Sequence, residues 1–165
     1  MNEASESSES AQPAGTRVFS LATLLDTAQL ASRIAKQVQP PQTIALTGTL
    51  GAGKTQLVRY LAAELGVPPE SVTSPTYVLQ HTYPGQLKIH HFDFYRIDSA
   101  AQVWDLGIDE LFEQGCLVII EWADKFLECL PEDHLTVTIS QDSDAVRAAT
   151  IRASGPRSQA LLHRL

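Results

Sequence analysis

Residues Gly48-Thr49-Leu50-Gly51-Ala52-Gly53-Lys54-Thr55 follow G-x-x-x-x-G-K-[ST], a spacing that suits the phosphates of a nucleotide. The glycines let successive backbone N–H groups turn inward and form an anion-binding nest. Lys54 stands where it would reach the β- and γ-phosphates, and Thr55 would offer its hydroxyl to Mg²⁺. Chemistry at such a loop needs acids for the metal and for water, and ligands of α/β sheets sit at the C-terminal ends of strands. Two acids occupy such places: Asp93 follows the strand-like run 87–92, and Glu121 follows the apolar run 116–120. Either suits a Walker-B-type acid that holds Mg²⁺ directly or through water; the other would orient the attacking water or complete the metal shell. Between the loop and Asp93 lies Thr73-Ser74-Pro75-Thr76-Tyr77. This is a place for a nucleotide-sensing switch, with Pro75 biasing Ser74 to extended geometry. Trp122, directly after Glu121, is placed either to pack or to wall the nucleotide site. His90 and His91 are adjacent on a strand, so they point to opposite faces and do not read as a shared zinc site.

The elements that must position these residues can be read from periodicity. Residues 43–47 form a strand into the loop. A helix from Lys54 to Leu65 leads out, with Leu57, Val58, Leu61 and Leu65 on one face and Gly66 and Pro68 as its stop. Upstream, 24–38 has helical spacing and ends at Pro40-Pro41, and Val18-Phe19 begins a short strand. Residues 78–83 and 87–92 read as strands joined around Pro84-Gly85. Residues 99–114 read as helix broken at Gly107, and the continuous apolar run 116–120 suits a central strand covered on both faces. The alternating stretch 134–140 pairs with 146–151 as a second hairpin, and 158–165 forms a terminal helix.

Composition narrows the class. A chain of 165 residues suits one domain with a real core, assigned to 17–165, after a disordered Ser/Glu-rich tail over 1–16. No apolar run approaches a membrane span, and the N-terminus lacks the features of a secretory signal. Cys116 and Cys129 read as free thiols of a reducing cytoplasm. The net charge is −7; Glu3, Glu6 and Glu9 account for −3 in the tail, which leaves −4 for the remainder. A chain of that sign does not grip nucleic acid by itself.

The order Gly48 to Thr55, Ser74-Pro75-Thr76-Tyr77, His91-Phe92-Asp93-Phe94-Tyr95-Arg96, Leu106-Gly107-Ile108 and Glu121-Trp122 resembles the bacterial TsaE family. The likeness spans about residues 17–155. It implies an α/β P-loop NTPase fold with a mixed, mainly parallel sheet flanked by helices. It also implies ATP with Mg²⁺, slow intrinsic hydrolysis, and work in a cytoplasmic complex with TsaD and TsaB. That complex supports threonylcarbamoyl transfer to adenosine 37 of tRNA, so tRNA is met only through it, and no membrane is involved. Carried onto this chain, the family's catalytic positions are Lys54, Asp93 and Glu121, and its metal positions are Thr55, Asp93 and Glu121. The nucleotide positions are Gly48, Leu50, Gly51, Ala52, Gly53, Lys54, Thr55, Thr76 and Trp122, with the adenine side near Asp26-Thr27. The chain departs from the family at Ala123, where Pro is usual, and at Ala101-Gln102-Val103-Trp104, where glutamates are common.

From the residues alone, other classes stay open. A small-molecule kinase would need an arginine-bearing lid, and the arginines here are few and scattered. A signalling GTPase would need an Asn-Lys-x-Asp motif, which is absent. A non-hydrolysing, ATP-dependent interaction switch would share the same motifs.

Overall fold

The computed structural model describes residues 15–141 and 146–165 of the chain. The expected tail lies outside the described residues up to position 14, whereas Thr16 already opens the first strand. In chain order the elements are β1 (Thr16–Leu21), α1 (Leu24–Gln37), β2 (Gln42–Thr47), α2 (Lys54–Glu64), β3 (Gln80–Tyr83) and β4 (Ile89–Asp93). They continue with α3 (Ala100–Trp104), α4 (Ile108–Leu111), β5 (Leu117–Glu121), β6 (Leu135–Gln141), β7 (Arg147–Ala153) and α5 (Pro156–His163).

The strands form one seven-stranded sheet in the order β1-β7-β6-β2-β5-β4-β3. Its parallel character is central: β6, β2, β5 and β4 run parallel to one another. The outer pairs β1/β7, β7/β6 and β4/β3 are antiparallel, so the two kinds of pairing are equal in number. Short connections account for β3/β4 and β6/β7, since a hairpin joins only antiparallel strands and a parallel neighbour needs a crossover; β1 instead joins β7 from the far end of the chain. Every residue of β2, β4 and β5 is buried, as expected of strands covered on both faces.

Alternation along these strands divides the core in two. Ile44, Leu46, Leu117 and Ile119 pack in one cluster with α1, α2 and α5 residues such as Ile34, Leu61 and Leu161. Ala45, Phe92, Val118 and Ile120 pack in the other, with Val103, Ile108 and Phe126. The same parity sets Ile89, His91 and Asp93 on one face of β4, and Leu117, Ile119 and Glu121 on one face of β5. Both faces are the one that carries α2. α1 is fixed at its start by a capping box, with Thr23 accepting from the Asp26 amide at 3.2 Å and Asp26 accepting from the Thr23 amide at 2.7 Å. Among the described residues no helix is long and apolar enough to cross a membrane.

Element boundaries shift by one to three residues from the sequence-based expectation, and two of the shifts bear on the site. The strand expected from residue 78 starts at Gln80, because the Val78 and Leu79 amides turn back to the Pro75 carbonyl and Leu79 takes φ 70°. Asp93 and Glu121, expected just after their strands, are the last strand residues and sit opposite one another in register. The helical stretch expected over 99–114 breaks at Gly107 as expected, where that residue adopts a left-handed φ of 66°, but its two pieces are shorter, Ala100–Trp104 and Ile108–Leu111.

α5 is held by one carboxylate. Asp133 accepts from the Arg157 amide (2.8 Å), the Ser158 amide (3.0 Å) and the Ser158 hydroxyl (2.6 Å), at the positive end of the helix. Burial alone would raise the Asp133 pKa, but the Ser158 bonds, the Arg157 amide and the Arg157 charge outweigh it and hold the group below its ordinary value. A carboxyl whose folded pKa is depressed stabilises the fold above its unfolded pKa and loses that contribution as pH falls through the folded value. Asp133→Ala is therefore expected to cost about 1–3 kcal/mol at neutral pH. The gap to wild type should close as pH falls below 3.8, the ordinary value for the group. Urea unfolding of both proteins across that range measures it.

Candidate functional site

The loop between β2 and α2 is shaped by glycine. Gly48 has φ 132°, and a Cβ there would overlap the Ile139 carbonyl of β6. Gly51 and Gly53 also take left-handed φ values, 77° and 111°. Gly53 is the N-cap of α2, and no side chain caps that helix, so its first-turn N–H groups and dipole are left for an anion.

Around this loop is a cavity of about 220 Å³. Leu50, Gly51, Ala52, Gly53, Lys54 and Thr55 line one side of it. Gln56 of α2 follows on from Thr55, and Ser74, Thr76, Asp93, Glu121 and Trp122 complete the lining. Gly48 shapes the turn without lining the cavity. Thr27 is not brought there: it lies on the core-facing side of α1, buried, with its hydroxyl on the Thr23 carbonyl at 3.4 Å. A second cavity of about 460 Å³ shares Leu50, Ser74, Thr76 and Trp122 and adds Tyr77 and Tyr95. Leu50 and Tyr77 are exposed there at 78% and 83%.

Lys54 is buried with its ammonium stowed on the loop itself. Its Nζ donates to the Gly48 carbonyl (2.7 Å) and the Thr49 carbonyl (2.9 Å). The same nitrogen lies 3.9 Å from the centre of the Trp122 ring, a cation–π contact. Burial pushes the Lys54 pKa below its ordinary value, while Glu121, Asp93 and Asp124 pull it back up. A cation held by neutral partners in a low-dielectric site is poised for an anion. Trp122 reaches this position through a left-handed backbone (φ 58°) and packs against Tyr95 with the rings tilted at 46° and their centroids 4.9 Å apart.

The two acids are each paired with a hydroxyl. Thr55 donates to both Glu121 oxygens, at 2.8 and 3.0 Å. Thr76 donates to Asp93 Oδ2 at 2.7 Å, and the Tyr95 amide donates to Asp93 Oδ1 at 2.8 Å. Both carboxylates are almost fully buried, 1% exposed for Asp93 and 3% for Glu121. Uncompensated carboxylates at that depth are costly, so the donors and the nearby lysine are what hold them there. These groups are hard oxygen donors, the chemistry that suits Mg²⁺ and not a soft metal.

Sequence reasoning missed His91. It is fully buried, and its Nε2 lies 2.8 Å from Glu121 Oε1. The signal was present: His91 is two residues from Asp93, so strand parity puts both on one face. His90 turns to the other face and meets Gln80 and Thr82 at 3.2 Å. Tyr83 was also missed, since it meets His91 only through the pairing of β3 with β4.

Comparison with known proteins follows the same lines. Residues 21–149 match the family described as "Threonylcarbamoyl adenosine biosynthesis protein TsaE". A protein named tRNA threonylcarbamoyladenosine biosynthesis protein TsaE from Bacillus subtilis is 34% identical over 141 residues, 85% of this chain and 87% of its own length. Its namesake from Treponema pallidum is 33% identical, covering 76% of this chain and 93% of its own. The crystal structure of Bacillus subtilis YdiB superposes with a TM-score of 0.75 at 28% identity, over 90% of this chain and 92% of that one.

Proposed function

The chain belongs to the TsaE family, and from that premise we propose that it is the ATP-hydrolysing subunit of the tRNA threonylcarbamoyladenosine machinery, acting with TsaD and TsaB. Its place in that biosynthesis and its character as a nucleotide-binding protein follow from the family and the P-loop fold. Hydrolysis, Mg²⁺ and the two partners are the finer reading. The observation that carries it is the pair of hydroxyl-bound carboxylates, Thr55–Glu121 and Thr76–Asp93, set side by side in register and facing the phosphate loop.

In this reading Lys54 leaves the Gly48 and Thr49 carbonyls for the phosphates, which rest on the N-terminus of α2. Thr55 and Glu121 would hold the metal, since a hydroxyl that gives its proton to Glu121 keeps its oxygen for coordination. Bound Mg²⁺ would neutralise phosphate charge as bond breaking proceeds. Asp93, clamped by Thr76 and by the Tyr95 amide, orients the attacking water or the metal's water shell. Trp122 walls the site and keeps Lys54 desolvated. Among the described residues no arginine lines the cavity, which supports slow intrinsic hydrolysis. The exposed rim of Leu50, Tyr77 and Tyr95 supports closure by a partner, after which hydrolysis resets the complex.

The test is reconstitution with TsaD, TsaB and tRNA, following modification over many turnovers. Omitting this chain is expected to stop the reaction after about one round per complex; full turnover without it overturns the assignment. ATP hydrolysis that stays at background with partners present would leave nucleotide binding alone as the active principle.

A further inference from the structure

A chain of polar groups runs behind the site, and two of its members, Tyr83 and His91, are used by none of the roles above. Tyr83, on the edge strand β3, has its hydroxyl 3.3 Å from the Thr73 carbonyl and 3.3 Å from His91 Nδ1. His91 Nε2 lies 2.8 Å from Glu121, and Glu121 receives Thr55. Thr73 is the first residue of the loop whose Ser74 and Thr76 hydroxyls reach Asp93, at 3.4 and 2.7 Å. The loop is thus moored to both acids: to Asp93 directly, and to Glu121 through Tyr83 and His91.

Donor counting shows what the chain can transmit. A carboxylate oxygen only accepts, so His91 Nε2 donates to Glu121, and a neutral imidazole then offers Nδ1 as an acceptor. Tyr83 has one hydroxyl proton and two acceptors at equal distance, the Thr73 carbonyl and His91 Nδ1. Burial raises the Tyr83 pKa, against a smaller opposing effect of the Thr73 bond, so the phenol keeps that proton at neutral pH. A proton given to Thr73 leaves the imidazole less well anchored, and a proton given to Nδ1 fixes the ring beside Glu121, so the position of Thr73 bears on the ring.

We propose that Tyr83 and His91 are positioning residues that couple the Thr73–Tyr77 loop to the metal-facing carboxylate of Glu121. The proposal rests on the reading of Thr55 and Glu121 as the Mg²⁺ site. Orientation of a ligating carboxylate by an outer group is where such partners act, and their loss typically costs about 10–100-fold in metal affinity or activity.

The experiment measures ATP binding by calorimetry, with the hydrolysis product as control, in EDTA and across a Mg²⁺ titration. Tyr83→Phe removes only the hydroxyl; His91→Gln keeps a donor toward Glu121 but drops the link to Tyr83. Both variants are expected to bind ATP in EDTA within about twofold of wild type. Both should need roughly tenfold more Mg²⁺ for half-maximal enhancement. A purely structural role would lower thermal stability and leave this split unmoved. Should His91→Gln fail to fold, Tyr83→Phe alone decides. Unchanged Mg²⁺ dependence in folded Tyr83→Phe overturns the coupling while leaving the site reading intact. Absence of Mg²⁺-dependent binding in wild type overturns both, which separates the two failures.

Discussion

Glu121→Gln is expected to lower partner-stimulated ATP hydrolysis by about 10²–10³-fold, the scale of removing one preorganised group that stabilises developing charge. The substitution keeps the volume of a side chain that is 3% exposed, so packing against β4 and β2 survives. The bond pattern does not. Glu121 accepts from Thr55 at both oxygens and from His91 at one. A carboxamide offers one acceptor oxygen and presents N–H₂ where a donor already points. One of those donors is left facing another donor, and the negative charge that would hold a divalent cation is gone. The effect should fall on kcat and on the Mg²⁺ requirement together, with metal-free nucleotide affinity nearly unchanged. Single-turnover and steady-state hydrolysis with TsaD and TsaB, at several Mg²⁺ concentrations, measures this. Wild-type kcat and Mg²⁺ dependence in the variant would remove Glu121 from the role given to it.

Lys54→Ala should act on the opposite term. Its ammonium bonds two loop carbonyls in the free protein, and a phosphate is the stronger acceptor. A charge-assisted hydrogen bond contributes about 1.5–3 kcal/mol. ATP affinity should therefore fall roughly 10- to 150-fold, in EDTA as well as with Mg²⁺. Because Lys54 Nζ sits 3.9 Å from the Trp122 ring, the change in Trp122 fluorescence on nucleotide binding should also shrink. The other tryptophan, Trp104, lies on α3 and is 42% exposed, so a Trp104→Phe background isolates the signal. ATP affinity equal to wild type would exclude the phosphate role of Lys54.

Glu121→Gln and Lys54→Ala thus divide the site into a metal half and a phosphate half, and the division follows its construction. Lys54 and Thr55 come from one helix start, while Asp93 and Glu121 come from two strand ends. The Thr73–Tyr77 loop bridges them by the Thr76–Asp93 bond. A variant in the loop, such as one that removes the Thr76 hydroxyl, touches the metal half without altering the cradle.

Local spacing alone determined the phosphate loop, since eight consecutive residues form the turn and the helix start that use them, and no distant contact is needed to recognise it. It also determined α1 through its period and the Pro40-Pro41 stop, the β6/β7 hairpin through alternation, and the two strand-end acids through their place after apolar runs. The family was legible for the same reason, because its motifs are short and ordered. Tertiary structure alone decided the pairing of those motifs. That β2 lies between β6 and β5, and β4 beyond β5, is a matter of sheet order, which sets Asp93 opposite Glu121 across 28 positions of sequence. The same order turned His91 from an unassigned strand residue into the partner of Glu121 and brought Tyr83 from the sheet edge to its ring. It also kept Thr27 away, because the amphipathic face of α1 that buries apolar side chains carries that hydroxyl into the core. Periodicity states which face a side chain takes; only packing states what stands opposite it.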